Sequence, residues 1–268
     1  MVTPNIREDI ISHLLTTKSI PINTTWLDQF LESSTISSRS SSAPLAVLSQ
    51  TVLYNLLLSD IRASIKVPAS KETEWLLPRD IDNVAVKRKI LRGPIIVQVL
   101  DIEDIGRSAW SQIEKIEMVE RGEMTRGREV IRTVNRDESG EVVSDAAASN
   151  SSSGRGNANN STRARGNTAN SNNNHSDAVG PHRLVLQDAA GTLLPAMELL
   201  PIPDLTIDAP TMKIGMKLAL KDVTVARGLA LLEPGNTTVL GGRIEELDKA
   251  WRVHRKERLL QKIQGDGS

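Results

Sequence analysis

The sequence predicts an α+β chain: an N-terminal three-helix bundle, then a five-stranded β-barrel with a long insert between its first two strands, then a C-terminal helix. Three observations lead there. Apolar residues recur at helical spacing up to Ile65. Short β-branched runs follow from Lys89 onward. Inside those runs, Ser144 to Ala178 carries no Leu, Ile, Val, Met or aromatic residue.

In the first part, Thr3 caps and Pro4 opens a helix with Ile6, Ile10, Ile11, Leu14 and Leu15 at helical spacing. A turn at Ser19-Ile20-Pro21 leads to a second helix capped by Thr24, with Trp26, Leu27, Phe30 and Leu31 on one side. The Ser-rich segment 33–42 breaks it. A third helix is expected from about Leu45 to Ile65, with Leu48, Val52 and Leu56 in one row. Three short amphipathic helices with small connections read as a bundle over residues 1–77.

Residues 78–268 read as the barrel domain. Ile95–Leu100 is a β-branched strand that ends at the acidic group Asp101, Glu103, Asp104. The insert spans about 106–181 and begins with a helix near Ser108–Glu120, on which Trp110, Ile113 and Ile116 share a face. Its Ser/Asn/Gly-rich remainder cannot bury enough apolar surface to offset the entropy of ordering, so disorder is expected. Strands resume at His182–Gln187. The turn Asp188–Gly191 makes a hairpin with Thr192–Leu200, and Lys217–Ala226, Leu229–Leu232 and Thr237–Leu240 follow. Gly241-Gly242 stops them, and a last helix covers about 243–263 with Ile244, Leu247 and Trp251 on one face. About five strands in meander order, closed by a helix, match the size of small Greek-key barrels of the OB type.

Composition narrows the function. Lys+Arg and Asp+Glu are both 33, which argues against salt-driven nucleic-acid binding over the whole surface. There is no Cys, hence no disulfide, thiolate metal site or thiol nucleophile. No apolar run approaches the roughly 20 residues of a membrane span, and the N-terminus lacks a signal-peptide layout, so a soluble intracellular protein is expected. His13, His175, His182 and His254 lack the spacing of a metal site or triad and are expected at the surface. The acidic group reads as a solvated strand end, and Gly241-Gly242 is no phosphate loop, since no Lys-Ser/Thr follows. No enzyme and no cofactor are expected.

An OB barrel that grips single strands needs aromatics for base stacking in a positive groove. From Ile90 to Glu245 the one aromatic is Trp110, in the insert. Basic residues collect instead in the tails: Arg155, Arg163 and Arg165, then Arg252, Arg255, Lys256, Arg258 and Lys262. Weak DNA contact through those tails is the alternative reading. Trp110 either anchors a partner or folds back onto its own barrel; the sequence leaves both open.

Certain stretches carry a resemblance: Ser108–Ile113, Leu184–Asp188, Met197-Glu198, Pro201-Ile202-Pro203, and above all Arg227–Gly242, which reads RGLALLEPGNTTVLGG. Together they resemble the N-terminal part of the RecQ-mediated genome instability protein 1 family, over nearly the whole chain. The resemblance implies a non-catalytic nuclear subunit that binds a type IA topoisomerase III working with a RecQ-type DNA helicase. The assembly dissolves double Holliday junctions, with the insert modulating the topoisomerase gate. On that basis Ser108, Trp110, Gln112, Ile113 and Ile116 are the expected partner contacts. Arg252, Arg255, Lys256 and Arg258 belong to the DNA alternative. The family often has Pro two residues before the aromatic, where this chain has Ser108. Larger relatives carry a second barrel that recruits a further subunit; with the chain ending at Ser268, no such partner is expected.

Overall fold

The computed structural model describes residues 4–33, 44–123, 180–208 and 211–265. The expectations for Thr3, for the serine-rich stretch beyond Ser33, for Pro210 and for 144–178, with Arg155, Arg163, Arg165 and His175, lie outside the described residues.

Among the described residues, four helices form the N-terminal part: α1 Pro4–Lys18, α2 Thr24–Glu32, α3 Leu45–Leu58 and α4 Ile61–Ser64. Ser19, at φ 56°, ends α1. The cap of α2 is Asn23 rather than Thr24: Asn23 Oδ1 accepts from Thr25 N–H at 3.1 Å. The long third helix expected to Ile65 is cut in two. Asp60 takes an extended conformation, and its Oδ1 accepts from Arg62 N–H at 2.9 Å, so a new N-terminus starts there. Ile10, Leu14, Leu27, Leu31, Val52, Leu56, Ile61 and Ile65 form the core between these helices. Burying a Leu such as Leu27, which is wholly inaccessible, is worth about 2 kcal/mol.

Among the described residues the barrel has eight strands: β1 Lys89–Leu91, β2 Ile95–Asp104, β3 His182–Asp188, β4 Leu193–Glu198, β5 Lys217–Leu220, β6 Val223–Ala226, β7 Leu229–Leu232 and β8 Thr237–Gly241. Strand β2 pairs antiparallel with β3 and β5, β3 with β4, β7 with β6, and β6 with β1, while β4 runs parallel to β7. Since β1 and β2 are parts of one run of chain, this circuit closes into a curled barrel, with β8 added on β5. Two of the expected runs, the one from Lys89 and Lys217–Ala226, are therefore bent and split in two where the wall turns. Gly93 (φ +63°) separates β1 from β2, and a Cβ there would sit 2.1 Å from Leu220 O. Asp222 (φ 54°) separates β5 from β6. Such bends let a small sheet curl on itself.

Strand β2 explains how barrel and helices join. Ile95, Val97 and Val99 enter the barrel core, whereas the alternate residue Ile96 packs into the helical core. Both faces are covered, so the run reads as unbroken apolar rather than alternating. Gln98, also buried, donates to Asp60 Oδ1 at 3.0 Å and accepts from Ile61 N–H at 3.2 Å, tying barrel wall to helix start. Gly242 does the same at the other end. It is more than a strand stop: at φ +87° it lets the chain pass so close to α3 that a Cβ would lie 2.2 Å from Leu57 O.

Beyond the first four helices lie a short α5, Glu72–Trp75, then α6, Ala109–Glu120, which leads the insert, and α7, Glu245–Gly265, which closes the chain. Trp251 of α7 is buried against the barrel, but Leu247, expected on the same face, is 40% exposed. Among the described residues no helix is long and apolar enough to cross a membrane.

Candidate partner-binding site at the neck of the insert

The chain leaves the barrel after Asp104 and returns at Gly180. At this neck the two strands of chain nearly touch: a Cβ on Gly106 would sit 2.4 Å from Gly180 Cα. Ile105 N–H donates to Pro181 O at 3.1 Å. The Asp104 carboxylate is buried and organises the turn, accepting from Gly106 N–H (2.9 Å), Arg107 N–H (3.2 Å) and Arg107 Nε (2.6 Å). Arg107 also donates to Asp208 Oδ2 at 3.0 Å, and Lys115 reaches the same oxygen at 3.0 Å. Burial alone would raise the Asp208 carboxyl, but Lys115 and Arg107 outweigh it and hold it below the ordinary carboxylate value. Burial likewise works against the Arg107 guanidinium, and its two carboxylates more than restore it.

Helix α6 begins at this clamp. Ser108 caps it, its Oγ accepting from Ser111 N–H at 3.2 Å. Gln112 and Ile113 turn inward, 5% and 3% exposed. Gln112 Nε2 donates to Asp104 O and Arg107 O, both at 3.0 Å. These two expected contacts are thus engaged within the chain itself, and no outside molecule reaches them without moving α6. Ile116 is half-buried. Trp110 is the opposite case: it is 64% exposed and has not folded back onto the barrel.

The far side of α6 is stitched to α7. Lys256 bridges Glu117 at 3.1 Å and Glu120 at 2.9 Å, and Arg255 donates to Gln112 Oε1 at 3.4 Å. Arg258 meets Asp101 at 3.5 Å, Lys262 pairs with Glu103, and Arg252 holds Asp248 at 2.9 Å. Arg255 and Arg258 also lie over the Trp251 ring, at 5.5 and 5.4 Å. Trp251 Nε1 donates to Asp101 Oδ1 at 2.6 Å. The acidic group is therefore no solvated strand end. Asp104 is buried in the neck, and Asp101 and Glu103 face the basic side of α7. Exposed ion pairs of this kind contribute about 0–1 kcal/mol each, yet together they orient one helix against another.

His182 and Lys217 are among the buried polar groups that escaped the sequence reading. His182 is not at the surface: it is wholly buried at the start of β3. Its Nδ1 lies 2.6 Å from Glu198 Oε2, an N–H to carboxylate bond, and Glu198 also accepts from His182 N–H and Ile202 N–H. The strand parity was the available signal, since His182, Leu184, Leu186 and Asp188 share one face. Lys217 on β5 is also fully buried, its Nζ donating to Gly215 O at 2.7 Å. Burial pushes its ammonium down to about 8, against a weaker upward pull from Asp60. Among the described residues no group of His, Asp and Glu is placed to hold a metal ion.

Helices packed on a curled barrel, an insert between β2 and β3, and a closing helix define an OB-fold chain with an N-terminal helical domain. Among the described residues of the insert, its most accessible large apolar group is Trp110. Two family models match: "RMI1, N-terminal OB-fold domain" over residues 77–255 and "RMI1, N-terminal helical domain" over residues 14–64. The chain belongs to the RMI1 family. It is 28% identical over 256 residues to "RecQ-mediated genome instability protein 1" of Schizosaccharomyces pombe, covering 96% of this chain and 95% of that protein.

Proposed function

We propose that this chain is a non-catalytic subunit of a RecQ helicase–topoisomerase III complex. It binds a type IA topoisomerase through the barrel and the base of its insert, and it modulates the enzyme's gate to promote dissolution of double Holliday junctions in the nucleus. Similarity over almost the full length to a protein named for RecQ-mediated genome instability supports the genome-stability role. The observation that carries the partner reading is Trp110, 64% exposed on a helix held by a partly buried ionic clamp. A partner favouring one gate state shifts the gate equilibrium by its differential affinity for the two states.

The DNA alternative draws on Arg252, Arg255, Lys256 and Arg258. Each has an acidic, amide or backbone partner within the chain, so few free cations face a phosphate backbone there. The test is co-purification of the chain with a type IA topoisomerase, followed by decatenation assays with and without it. The expected result is a stable complex with altered decatenation. Absence of any complex, or turnover of DNA by the chain alone, would overturn the reading.

A further inference from the structure

Helix α3 is uncharged on every side: its fourteen residues, Leu45–Leu58, include no Asp, Glu, Lys or Arg. One face carries Leu48, Val52, Leu53 and Leu56 into the helical core. The opposite face repeats at Val47, Thr51, Tyr54 and Leu58, spaced four, three and four, which is the seam of a helix pair. All four are exposed, and Val47 and Tyr54 stand at 56% and 62%. A helix with apolar residues on both faces is expected to be covered on both. The polar groups on the seam are already used. Thr51 Oγ1 donates to Val47 O at 2.8 Å, and Asn55 Nδ2 donates to Thr51 O at 2.9 Å. Burying this face therefore strands neither donor and desolvates no charge.

Area, charge and shape together select the occupant. We propose that the α3 seam pairs antiparallel with the same seam of a second copy of this chain, about a two-fold axis level with Val52 and Leu53. This goes beyond the proposed function and does not depend on it. In that register Tyr54 of one copy lies beside Thr51 of the other, Val47 beside Leu58, and Gln50 beside Asn55. A larger side chain meets a smaller one at each level, and the two helix dipoles oppose. These six residues leave about 500 Å² accessible on each copy, so pairing buries about 1,000 Å², where specific interfaces begin. A partner chosen by charge finds nothing to recognise on this face, whereas a second copy brings one equally uncharged.

The test is sedimentation equilibrium of the full chain from about 1 μM to about 1 mM. Wild type should dimerise, with half the chains paired by about 100 μM. Tyr54→Lys puts a charge into the seam and should weaken pairing at least about 100-fold, whereas Tyr54→Phe keeps the ring and should pair within a few-fold of wild type. Tyr54 is exposed, so circular dichroism should show both variants folded. The chain has no Cys, which allows a second test by disulfide trapping. Val47→Cys chains mixed with Leu58→Cys chains should link to each other under mild oxidation. Neither should link to itself, because eleven residues of helix set like positions about 16 Å apart, beyond disulfide reach. A wild type that stays monomeric to about 1 mM overturns the proposal. So does a dimer that Tyr54→Lys leaves intact, or one in which Val47→Cys links to itself. A monomeric chain that loses topoisomerase binding through Tyr54→Lys assigns the seam to that enzyme and refutes the proposal, while leaving the proposed function standing. A monomeric chain that binds neutral phosphatidylcholine vesicles, and that Tyr54→Lys releases from them, assigns the seam to a membrane and refutes it too.

Discussion

Lys217 offers a quantitative test of the barrel interior. It is wholly buried, and its ammonium is held at about 8, against 10.5 for a free lysine. Folding therefore favours the neutral amine. Between pH 8 and 10.5 the unfolded chain holds a proton that the folded chain has released, so stability rises with pH across that window. Below it both states are charged and the folded protein carries the full penalty. The gap of 2.5, from 10.5 less 8, at about 1.36 kcal/mol per unit, amounts to about 3 kcal/mol. Lys217→Met keeps the stem and removes the charge, at the loss of one hydrogen bond to Gly215 O worth about 1 kcal/mol. At neutral pH the variant should thus be about 2 kcal/mol more stable than wild type, and by about pH 10.5 it should be about 1 kcal/mol less stable. Urea unfolding at stepped pH reads this directly, and the difference between the two proteins cancels titration of every other group. A difference that stays flat across the window, or a variant less stable than wild type at pH 7, would refute the reasoning.

Three further outcomes follow from the packing. Gly242→Ala should cost at least about 2 kcal/mol in a urea melt, because its φ of +87° disfavours any Cβ and that Cβ would sit 2.2 Å from Leu57 O; a near-neutral effect would mean the barrel and α3 are not in such close contact. His182→Ala should lower stability by about 2–3 kcal/mol, since it opens a cavity and strips one donor from the buried Glu198 carboxylate; a thermal melt within a degree of wild type would count against that pair. Asp208→Asn should cost about 1 kcal/mol at pH 6, and that cost should shrink as the pH falls below 3.8. The native carboxyl is held below its ordinary 3.8, so its contribution is present above 3.8 and disappears as acid protonates it. A difference that persists in acid would show the loss to be steric.

The fold class was legible because its strongest signals are local. Helical spacing in the first part and β-branched runs after Lys89 needed no tertiary information. What stayed hidden was tertiary. The continuous apolar pattern from Leu45 concealed the break at Asp60, although Ser59-Asp60 is a capping pair that a reading for N-caps would have found. The division of Ile95–Leu100 between two cores could not be read, since burying both faces erases the alternation that reports sidedness. The bends at Gly93 and Asp222 depend on positive φ, which Gly announces and Asp scarcely does. At the candidate site, the helix was visible in sequence and Trp110 stood out on it, but the sequence left its outward orientation open. The inward turn of Gln112 and Ile113 was not, because it follows from the neck clamp, whose Asp208 lies about a hundred residues further along the chain.

The same long-range pairing changes what the charges mean. Read along the chain, the cations of α7 form a basic run and the carboxylates of β2 and α6 form acidic groups, and each looks available to a partner of opposite sign. Folding places them face to face, so both are largely spent before any partner arrives. Binding at this surface must then rest on apolar area, and an unordered tryptophan would give back part of that gain as lost conformational freedom. The clamp of Asp104, Arg107, Asp208 and Lys115 meets that cost in the free protein by holding the start of α6 in place. Under the proposed function the ionic network matters less for how strongly the chain folds than for how little Trp110 would have left to lose on docking.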